Sequence, residues 1–135
     1  MKTFLLAVIL VAVAPSFAFA QNSKQYLACS HNAQTQAAMN ACAGEELQRA
    51  DAELNRTYRA LLVKTASDAG TARKIKSAQR AWLTFRDAYL EAMYPAADKQ
   101  TEYGSIYSMQ FALLRAKLTR QQISALKDLL RQHTN

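Results

Sequence analysis

The two cysteines of the chain are the residues whose type and spacing offer the most chemistry. Cys29 and Cys42 bound the stretch CSHNAQTQAAMNAC, with twelve residues between them. A redox-active pair usually has C-x-x-C spacing beside a βαβ unit, and the chain has neither feature. A structural zinc site needs four protein ligands, whereas Cys29, His31 and Cys42 supply three and His133 lies near the C-terminus. The choice among thiol chemistry, metal binding and a disulfide therefore depends on the compartment in which the protein folds.

The first twenty residues, MKTFLLAVILVAVAPSFAFA, have the layout of a secretory signal peptide. Lys2 supplies positive charge, residues 4–14 are apolar, and residues 18–20 form an A-x-A cleavage site before Gln21. The apolar run is shorter than the ~20 residues that span a bilayer, so we predict cleavage rather than an uncleaved anchor helix. The predicted division is a signal peptide over residues 1–20 and one domain over residues 21–135.

Export decides how the cysteines are interpreted. In the periplasm or outside the cell, paired cysteines usually form a disulfide. We therefore predict a disulfide between Cys29 and Cys42, with no metal and no cofactor, and keep free or redox-active thiols as the alternative. Closing a loop of about 14 residues would stabilise the fold by roughly 3 kcal/mol in the chain-entropy model.

The charge of the chain is basic but dispersed. The formal net charge is +7, and it becomes +6 once Lys2 is removed. Acidic residues separate the basic ones, so no Lys/Arg-rich block of the kind that binds nucleic acid is present. We predict a periplasmic or secreted basic protein with no nucleic-acid partner and no integral membrane segment after cleavage.

Helical periodicity predicts an all-α fold. Apolar residues recur at three- and four-residue steps, Gly and Pro are scarce, and no alternating strand pattern is present. Pro95 ends the second helix, and Thr119 with Gln122 resembles the capping box of a further helix. Gly44, inside the first helix, is a candidate kink. We predict a small bundle of two long antiparallel helices with shorter C-terminal helices packed across them. The first three predicted helices cover residues 34–65, 71–94 and 105–116, and a fourth starts at residue 119. Residues 95–103 are predicted to form a polar connector.

Five residues of the first two predicted helices form a candidate polar cluster. Asp51 and Asn55 are four residues apart and share one helix face, while Trp82 lies one turn before Arg86 and Asp87. We interpret the cluster as an interhelical lock in which Arg86 pairs with Asp51 and stacks on Trp82. The alternative is a polar surface that binds a partner or a sugar.

Carboxylate pairs raise the question of catalysis. A glycosidase needs two carboxyl groups that face each other across a substrate cleft. Asp51 with Glu53, and Glu45 with Glu46, are close in sequence, but a slim helical bundle offers little cleft and such acids are expected to be solvated. No Ser-His-Asp arrangement or glycine-rich phosphate loop is present. We therefore predict no catalytic residues and no enzymatic activity.

The least regular segment, residues 95–108, is the candidate partner-binding surface. Recognition is often carried by loops that a rigid scaffold positions, and tyrosines are enriched in interfaces. The alternative is an ordinary helix connector whose tyrosines cover the edge of the core. Other aromatic residues, Tyr58, Trp82 and Phe85, follow the apolar stripes and are predicted to lie in the core. The candidate partner-binding residues are Tyr94, Tyr103, Ile106 and Tyr107.

Three further stretches carry a resemblance to a known family. They are ADAELNRTY at 50–58, AQRAWLTFRDA at 78–88 and YGSIYSMQFALLRAKLT at 103–119. In this order, after the two cysteines, they resemble the LprI-like lysozyme-inhibitor family of exported bacterial proteins. The resemblance implies a small helical domain, stapled by a disulfide, that inhibits lysozyme by protein contact.

Two of the chain's departures from the family pattern concern cysteines, and Tyr103 and Ser108 also stand where the family often has Gly and Pro. Members of the family commonly have four cysteines, and the third and fourth correspond to Leu90 and Leu114 here. Because both replacements are apolar, we expect Leu90 to contact Leu114 where a second disulfide would otherwise lie.

Three binding functions are consistent with these features. The resemblance favours a lysozyme inhibitor. The alternatives are an envelope interaction or immunity-type module that binds another exported protein, and a cationic protein that binds an anionic envelope polymer. Common animal lysozymes are strongly basic, so two proteins of net positive charge would not be steered together as whole molecules.

Overall fold

The computed structural model of the chain describes residues 22–134, which form five helices and no strand. The all-α prediction is confirmed for these residues. None of the helices in this range is long and apolar enough to cross a membrane. The predicted signal peptide, residues 1–20, lies outside the described range. The helices are α1 (Lys24–Asn32), α2 (Gln36–Lys64), α3 (Ala69–Met93), α4 (Lys99–Tyr103) and α5 (Tyr107–Gln132).

Side-chain caps fix the start of four helices. The oxygens of Ser23, Thr35, Asp68 and Asp98 each accept a hydrogen bond from a backbone N–H three residues further on. Such caps satisfy amides that have no partner inside the helix. Two of the capped helices, α1 and α4, are absent from the sequence prediction, and α4 occupies part of the segment expected to be a polar connector. The hydrogen bonds from Thr71 to Asp68 and from Thr101 to Asp98 lower the pKa of both aspartates.

The bundle contains three long helices, and its most closely packed pair is α2 with α5. Successive contacts join Asn40 to Ser105, Glu46 to Arg120 and Glu53 to Lys127, so the two helices run parallel. Small buried residues let the two backbones approach, because the distance between helix axes depends on the side chains at the contact. These residues are Ala43, Ala50, Ala112 and Ala116. The expected arrangement of only two long helices is therefore corrected to three.

The third long helix, α3, runs antiparallel to α5. Gln122 donates a hydrogen bond to Gln79 at 2.9 Å, and the ring centroids of Tyr94 and Tyr107 are 5.1 Å apart. As residue numbers rise along α3, the facing residue numbers in α5 fall, which is the pattern of antiparallel helices. The main core lies where the three helices meet, and its buried residues are Leu54, Leu61, Ile75, Ile123 and Leu126.

The predicted break before Thr119 is wrong, since α5 continues through it. Thr119 is fully buried inside the helix and its hydroxyl lies 3.4 Å from a carboxylate oxygen of Asp51. The buried positions Ala112, Ala116, Thr119 and Ile123 keep three- and four-residue steps across the expected boundary. The capping-box pattern is misleading because Thr119 occupies a core position of one continuous helix.

The predicted disulfide between Cys29 and Cys42 is present, with the two Cα atoms 5.7 Å apart. It joins α1 to α2 beside a second hydrophobic cluster, where Tyr26 packs with Cys42, Ala43 and Ala112. Tyr26 is the one buried residue of α1. The short helix therefore depends on a covalent link and a few local contacts for its place on the bundle.

Replacing Gly44 with alanine is expected to raise the free energy of unfolding by up to about 1 kcal/mol, because glycine loses more backbone entropy inside a helix. Helix α2 passes through this position, and a Cβ atom there would have no neighbour within 4 Å. Chemical denaturation measures the change. Gly104→Ala is the control of opposite sign, since Gly104 has φ +72° and an alanine would be strained there. A destabilised Gly44→Ala variant would show that the bundle needs a flexible point in α2.

Candidate functional site

The predicted polar cluster is present in part. The guanidinium carbon of Arg86 lies 5.1 Å from the centroid of the Trp82 ring, and Arg86 pairs with the adjacent Asp87 at 2.8 Å. Asp51 instead pairs with Arg115 of α5 at 3.8 Å. The expected ion pair between Arg86 and Asp51 is therefore corrected: each group has a closer partner, because α5 packs nearer to α2 than α3 does.

A cavity of about 190 Å³ separates the members of this cluster. Asp51, Asn55, Arg86 and Arg115 line it together with Leu54 and Leu83. Three of the five predicted cluster residues therefore converge on one space, while Trp82 and Asp87 do not line it. The Nε atom of Arg115 is buried there without a hydrogen-bond partner in the described range. An interhelical lock that includes Arg115 remains our interpretation of the cluster.

The tyrosines predicted to bind a partner form an aromatic cluster at one end of the bundle. The ring of Tyr94 lies 5.3 Å from that of Tyr103 and 5.1 Å from that of Tyr107, and Phe111 lies 5.6 Å from Tyr107. The Tyr103 hydroxyl accepts a hydrogen bond from the Ala96 amide at 3.2 Å. Burial, with the neighbouring Tyr107 and Tyr103 hydroxyls, raises the pKa of Tyr94. The rings are half-buried, so they pack against one another and still leave part of their area accessible at this end.

Exposed apolar side chains also occur along the second half of α3 and at the start of α5. Phe85, Tyr89 and Met93 are 57%, 39% and 48% exposed, and Ile106 at the start of α5 is 39% exposed. The expectation that Phe85 lies in the core is therefore wrong. Its helix turns Ile75, Gln79, Arg86 and Leu90 toward the bundle instead. Tyr58 and Trp82, by contrast, do pack against the main core.

Glu46 of α2 is a buried carboxylate that the sequence patterns did not indicate, and it links α1 and α5 to α2. Its side chain is 0% exposed. The backbone N–H of Ser23 donates to one carboxylate oxygen at 2.6 Å, and the Ser23 hydroxyl donates to the other. Arg120 of α5 pairs with the first oxygen, and Arg49 lies 3.1 Å from the second. The expectation that Glu45 and Glu46 are both solvated is thus wrong for Glu46.

The position of Glu46 in the helical pattern is the signal that could have identified it. The buried residues of α2 include Ala43, Glu46, Ala50 and Leu54, which follow each other at three- and four-residue steps. An acid on such a stripe is either paired or at the edge of the core. Its partner Arg120 lies three residues before the core position Ile123. The sequence could not match Arg120 to Glu46, because the match requires knowing that α2 and α5 run parallel.

The surroundings of Glu46 keep it ionised. Burial acts to raise its pKa, but the two hydrogen bonds from Ser23 and the charges of Arg120 and Arg49 outweigh that effect and lower the pKa below its ordinary value of 4.5. A cavity of about 310 Å³ opens beside this network. A carboxylate held by so many donors is suited to joining helices and poorly suited to transferring protons.

Two further sequence-based expectations concern metals and leucines. Within residues 22–134, no group of three or more His, Cys, Asp or Glu side chains is placed to hold a metal ion. Leu90 is buried and Leu114 is half-buried. The antiparallel register of α3 and α5, which brings Arg86 and Arg115 to one cavity, sets the two leucines at similar levels. Their contact remains a prediction.

Comparison with known proteins places the chain in a family. Residues 28–126, from α1 to near the end of α5, match the family model described as "Lysozyme inhibitor LprI". The chain is also 31% identical over 141 residues to an uncharacterized protein of Rhizobium meliloti, in an alignment that covers 96% of this chain and 95% of that protein. No solved structure matches the chain. The chain therefore belongs to the LprI lysozyme inhibitor family.

Proposed function

We propose that the protein is an exported lysozyme inhibitor that acts by protein–protein contact and not by catalysis. The observation that carries this proposal is the family match over residues 28–126. The matched range includes the disulfide, the polar cluster and the aromatic cluster, so it spans nearly the whole bundle.

Export is part of the proposal. Residues 1–20 have the layout of a signal peptide, and cleavage before Gln21 would release residues 21–135 to the periplasm or the medium. The disulfide between Cys29 and Cys42 supports this, because disulfides persist in oxidising compartments.

Inhibition by contact requires a rigid surface that covers the substrate cleft of lysozyme, where the two catalytic carboxyl groups lie. The end of the bundle that carries Tyr94, Tyr103, Ile106 and Tyr107 is our candidate for that surface. Ring contacts of 5.1–5.8 Å hold its three tyrosines together. A surface that is ordered before binding loses less entropy when the complex forms.

Purified residues 21–135, with the disulfide formed, are expected to slow the lysis of bacterial cell walls by lysozyme. A turbidity assay measures this directly, with the protein in increasing molar ratio to the enzyme. A small helical protein of similar net charge, added at the same concentrations, controls for binding of cations to the cell wall. Unchanged lysis at a large molar excess would contradict the proposal.

A further inference from the structure

Basic side chains are concentrated toward the end of the bundle that is opposite the tyrosine cluster. Residues 56–80 include the last turns of α2, the turn that follows and the first half of α3. This stretch contains seven basic residues and one acidic residue, so it carries a net charge of +6 out of +7 for the whole chain. The seven residues are Arg56, Arg59, Lys64, Arg73, Lys74, Lys76 and Arg80.

These cations are available to a partner. All seven are exposed, and the ion pairs formed among residues 22–134 include none of them. Asp68 is the one acid of the stretch, and it is engaged in the N-cap of α3, where it accepts hydrogen bonds from Thr71. Exposed charges of one sign without counter-charges attract an anionic surface.

An apolar groove lies among these cations. Helices α2 and α3 both pack on α5 and make few contacts with each other. A cavity of about 360 Å³ therefore remains between the end of α2 and the start of α3. Four apolar residues and two cations line it, namely Leu62, Ala66, Ala69, Ala72, Arg73 and Lys76.

The spacing of residues along α3 adds a third cation to one edge of the groove. Arg80 lies four residues after Lys76 and seven after Arg73, so the three side chains share one side of the helix. All three are exposed. This edge of the groove is consequently a row of three positive charges.

Helix α2 supplies the other edge. Arg59 lies three residues before Leu62, which lines the groove, and Val63 lies four residues after Arg59. Val63 is 77% exposed. The second edge therefore combines a positive charge with an exposed apolar side chain.

We propose that this groove face, made of Arg59, Val63, Arg73, Lys76 and Arg80 around the cavity, binds the surface of a bilayer that contains anionic phospholipids. Lipid phosphates would lie against the cations, and the apolar groups of the groove would lie against the outer part of the acyl chains. Proteins that bind a bilayer surface combine these two contributions. A hydrated anionic polymer would satisfy the cations but would leave the apolar groups without a partner.

The groove face and the candidate lysozyme-binding surface lie toward opposite ends of the bundle. Helix α3 begins beside the groove and ends at Tyr94 in the aromatic cluster. Binding to a membrane through the groove face would thus leave the tyrosines accessible. This role goes beyond lysozyme inhibition and does not depend on it.

Vesicle sedimentation tests the proposal with purified residues 21–135 in which the disulfide is formed. We expect the protein to sediment with vesicles of phosphatidylcholine and phosphatidylglycerol, but not with vesicles of phosphatidylcholine alone. Added salt should weaken the binding, because it screens the attraction between exposed charges. Equal binding to both kinds of vesicle, or binding to neither, would overturn the proposal.

The contribution of charge is tested with Arg73→Gln/Lys76→Gln. We expect this variant to bind the mixed vesicles roughly thirty-fold more weakly than wild type, since each cation near an anionic surface contributes roughly five-fold. The matched control is Lys24→Gln/Lys117→Gln, which removes the same charge from exposed positions on α1 and α5. All four side chains are exposed, so both variants should keep the wild-type helix content in circular dichroism. Equal losses of binding in the two variants would show that only net charge matters, against the proposal.

The contribution of apolar contact distinguishes a bilayer from an anionic polymer. Val63→Ser should bind the mixed vesicles about three-fold more weakly, because the valine would leave water at the lipid surface. Leu27→Ser, at a 55% exposed position on α1, is the control and should bind as wild type does. Val63→Ser that also binds as wild type does would show that the face recognises charge alone, and a membrane would no longer be its specific partner.

Vesicle binding and lysozyme inhibition can fail separately, because the vesicle experiment contains no lysozyme. Protein that binds the mixed vesicles but leaves the lysis of cell walls unchanged would contradict the proposed function alone. Protein that slows lysis but does not bind the vesicles would overturn membrane docking alone.

Discussion

Replacing Glu46 with glutamine is expected to lower the free energy of unfolding by about 3 kcal/mol at neutral pH, as breaking a buried ion pair generally does. Glu46 is fully buried and accepts hydrogen bonds from Ser23, while Arg120 and Arg49 supply the opposite charge. Glutamine keeps the shape but removes that charge, and its amide nitrogen presents a donor to groups that are themselves donors.

The adjacent acid provides a matched control. Glu45 has a side chain that is 60% exposed, and its one ion-pair partner among residues 22–134 is Arg49, at 3.5 Å. Glu45→Gln should therefore change the free energy of unfolding by less than about 0.5 kcal/mol. Urea denaturation of the two variants and the wild type gives the comparison. Similar values for both variants would mean that the Glu46 network does not stabilise the fold.

The same network predicts how stability depends on pH. Because the pKa of Glu46 is lowered by folding, its carboxylate stabilises the native state at pH values above its unfolded pKa of about 4.5. That contribution is lost as the pH falls through the lower, folded pKa. The difference in the free energy of unfolding between wild type and Glu46→Gln should therefore be largest at pH 7. It should become smaller as the pH falls below 4.5. A difference that stays constant from neutral pH into strong acid would contradict this assignment.

Periodicity predicts the long helices α2 and α3 well and their buried faces less well. The expected helices over 34–65 and 71–94 correspond to α2 and α3, because long apolar repeats bounded by caps and Pro95 are strong local signals. In α3 the repeat is ambiguous, since Phe85 and Tyr89 form one stripe and Ile75 and Leu90 another. Only packing decides which stripe is buried, and here the buried one includes the polar Gln79 and Arg86.

The pairing of distant residues could not be predicted for a related reason. The predicted pair of Arg86 and Asp51 assumes that α2 and α3 are the closest helices. In the structure Asp51 meets Arg115 and Glu46 meets Arg120, both on α5. The parallel contact of α2 with α5 depends on alanines that carry little hydrophobic signal in a sequence. Irregularity selects residues 94–107 as candidates for partner binding, which stays a prediction. The sequence could not show that Phe85 and Tyr89 are exposed, because exposed aromatics resemble core residues in a helical repeat.

Removing the disulfide is expected to lower the free energy of unfolding about as much as Glu46→Gln does. The double variant Cys29→Ala/Cys42→Ala should lose roughly 3 kcal/mol of unfolding free energy, which is the chain-entropy value for a loop of about 14 residues. For a domain of this length that corresponds to a fall in Tm on the order of 10 °C. Reduction of the wild type should give a similar fall, and the double variant should not respond to the reductant. A chelator should change neither protein, and a response to the chelator would instead indicate a metal site.

The disulfide and the Glu46 network both hold α1 on the bundle. The losses of unfolding free energy caused by Cys29→Ala/Cys42→Ala and by Glu46→Gln should therefore not be additive. The disulfide fixes Cys29 to α2, and Ser23 at the other end of α1 binds Glu46. Once α1 separates from the bundle, Glu46 has already lost its Ser23 donors, so Glu46→Gln should matter less in the Cys29→Ala/Cys42→Ala background. A double-mutant cycle with urea denaturation measures the coupling, and hydrogen exchange at the α1 amides locates it. Fully additive effects with unchanged α1 exchange would show that the two links act independently.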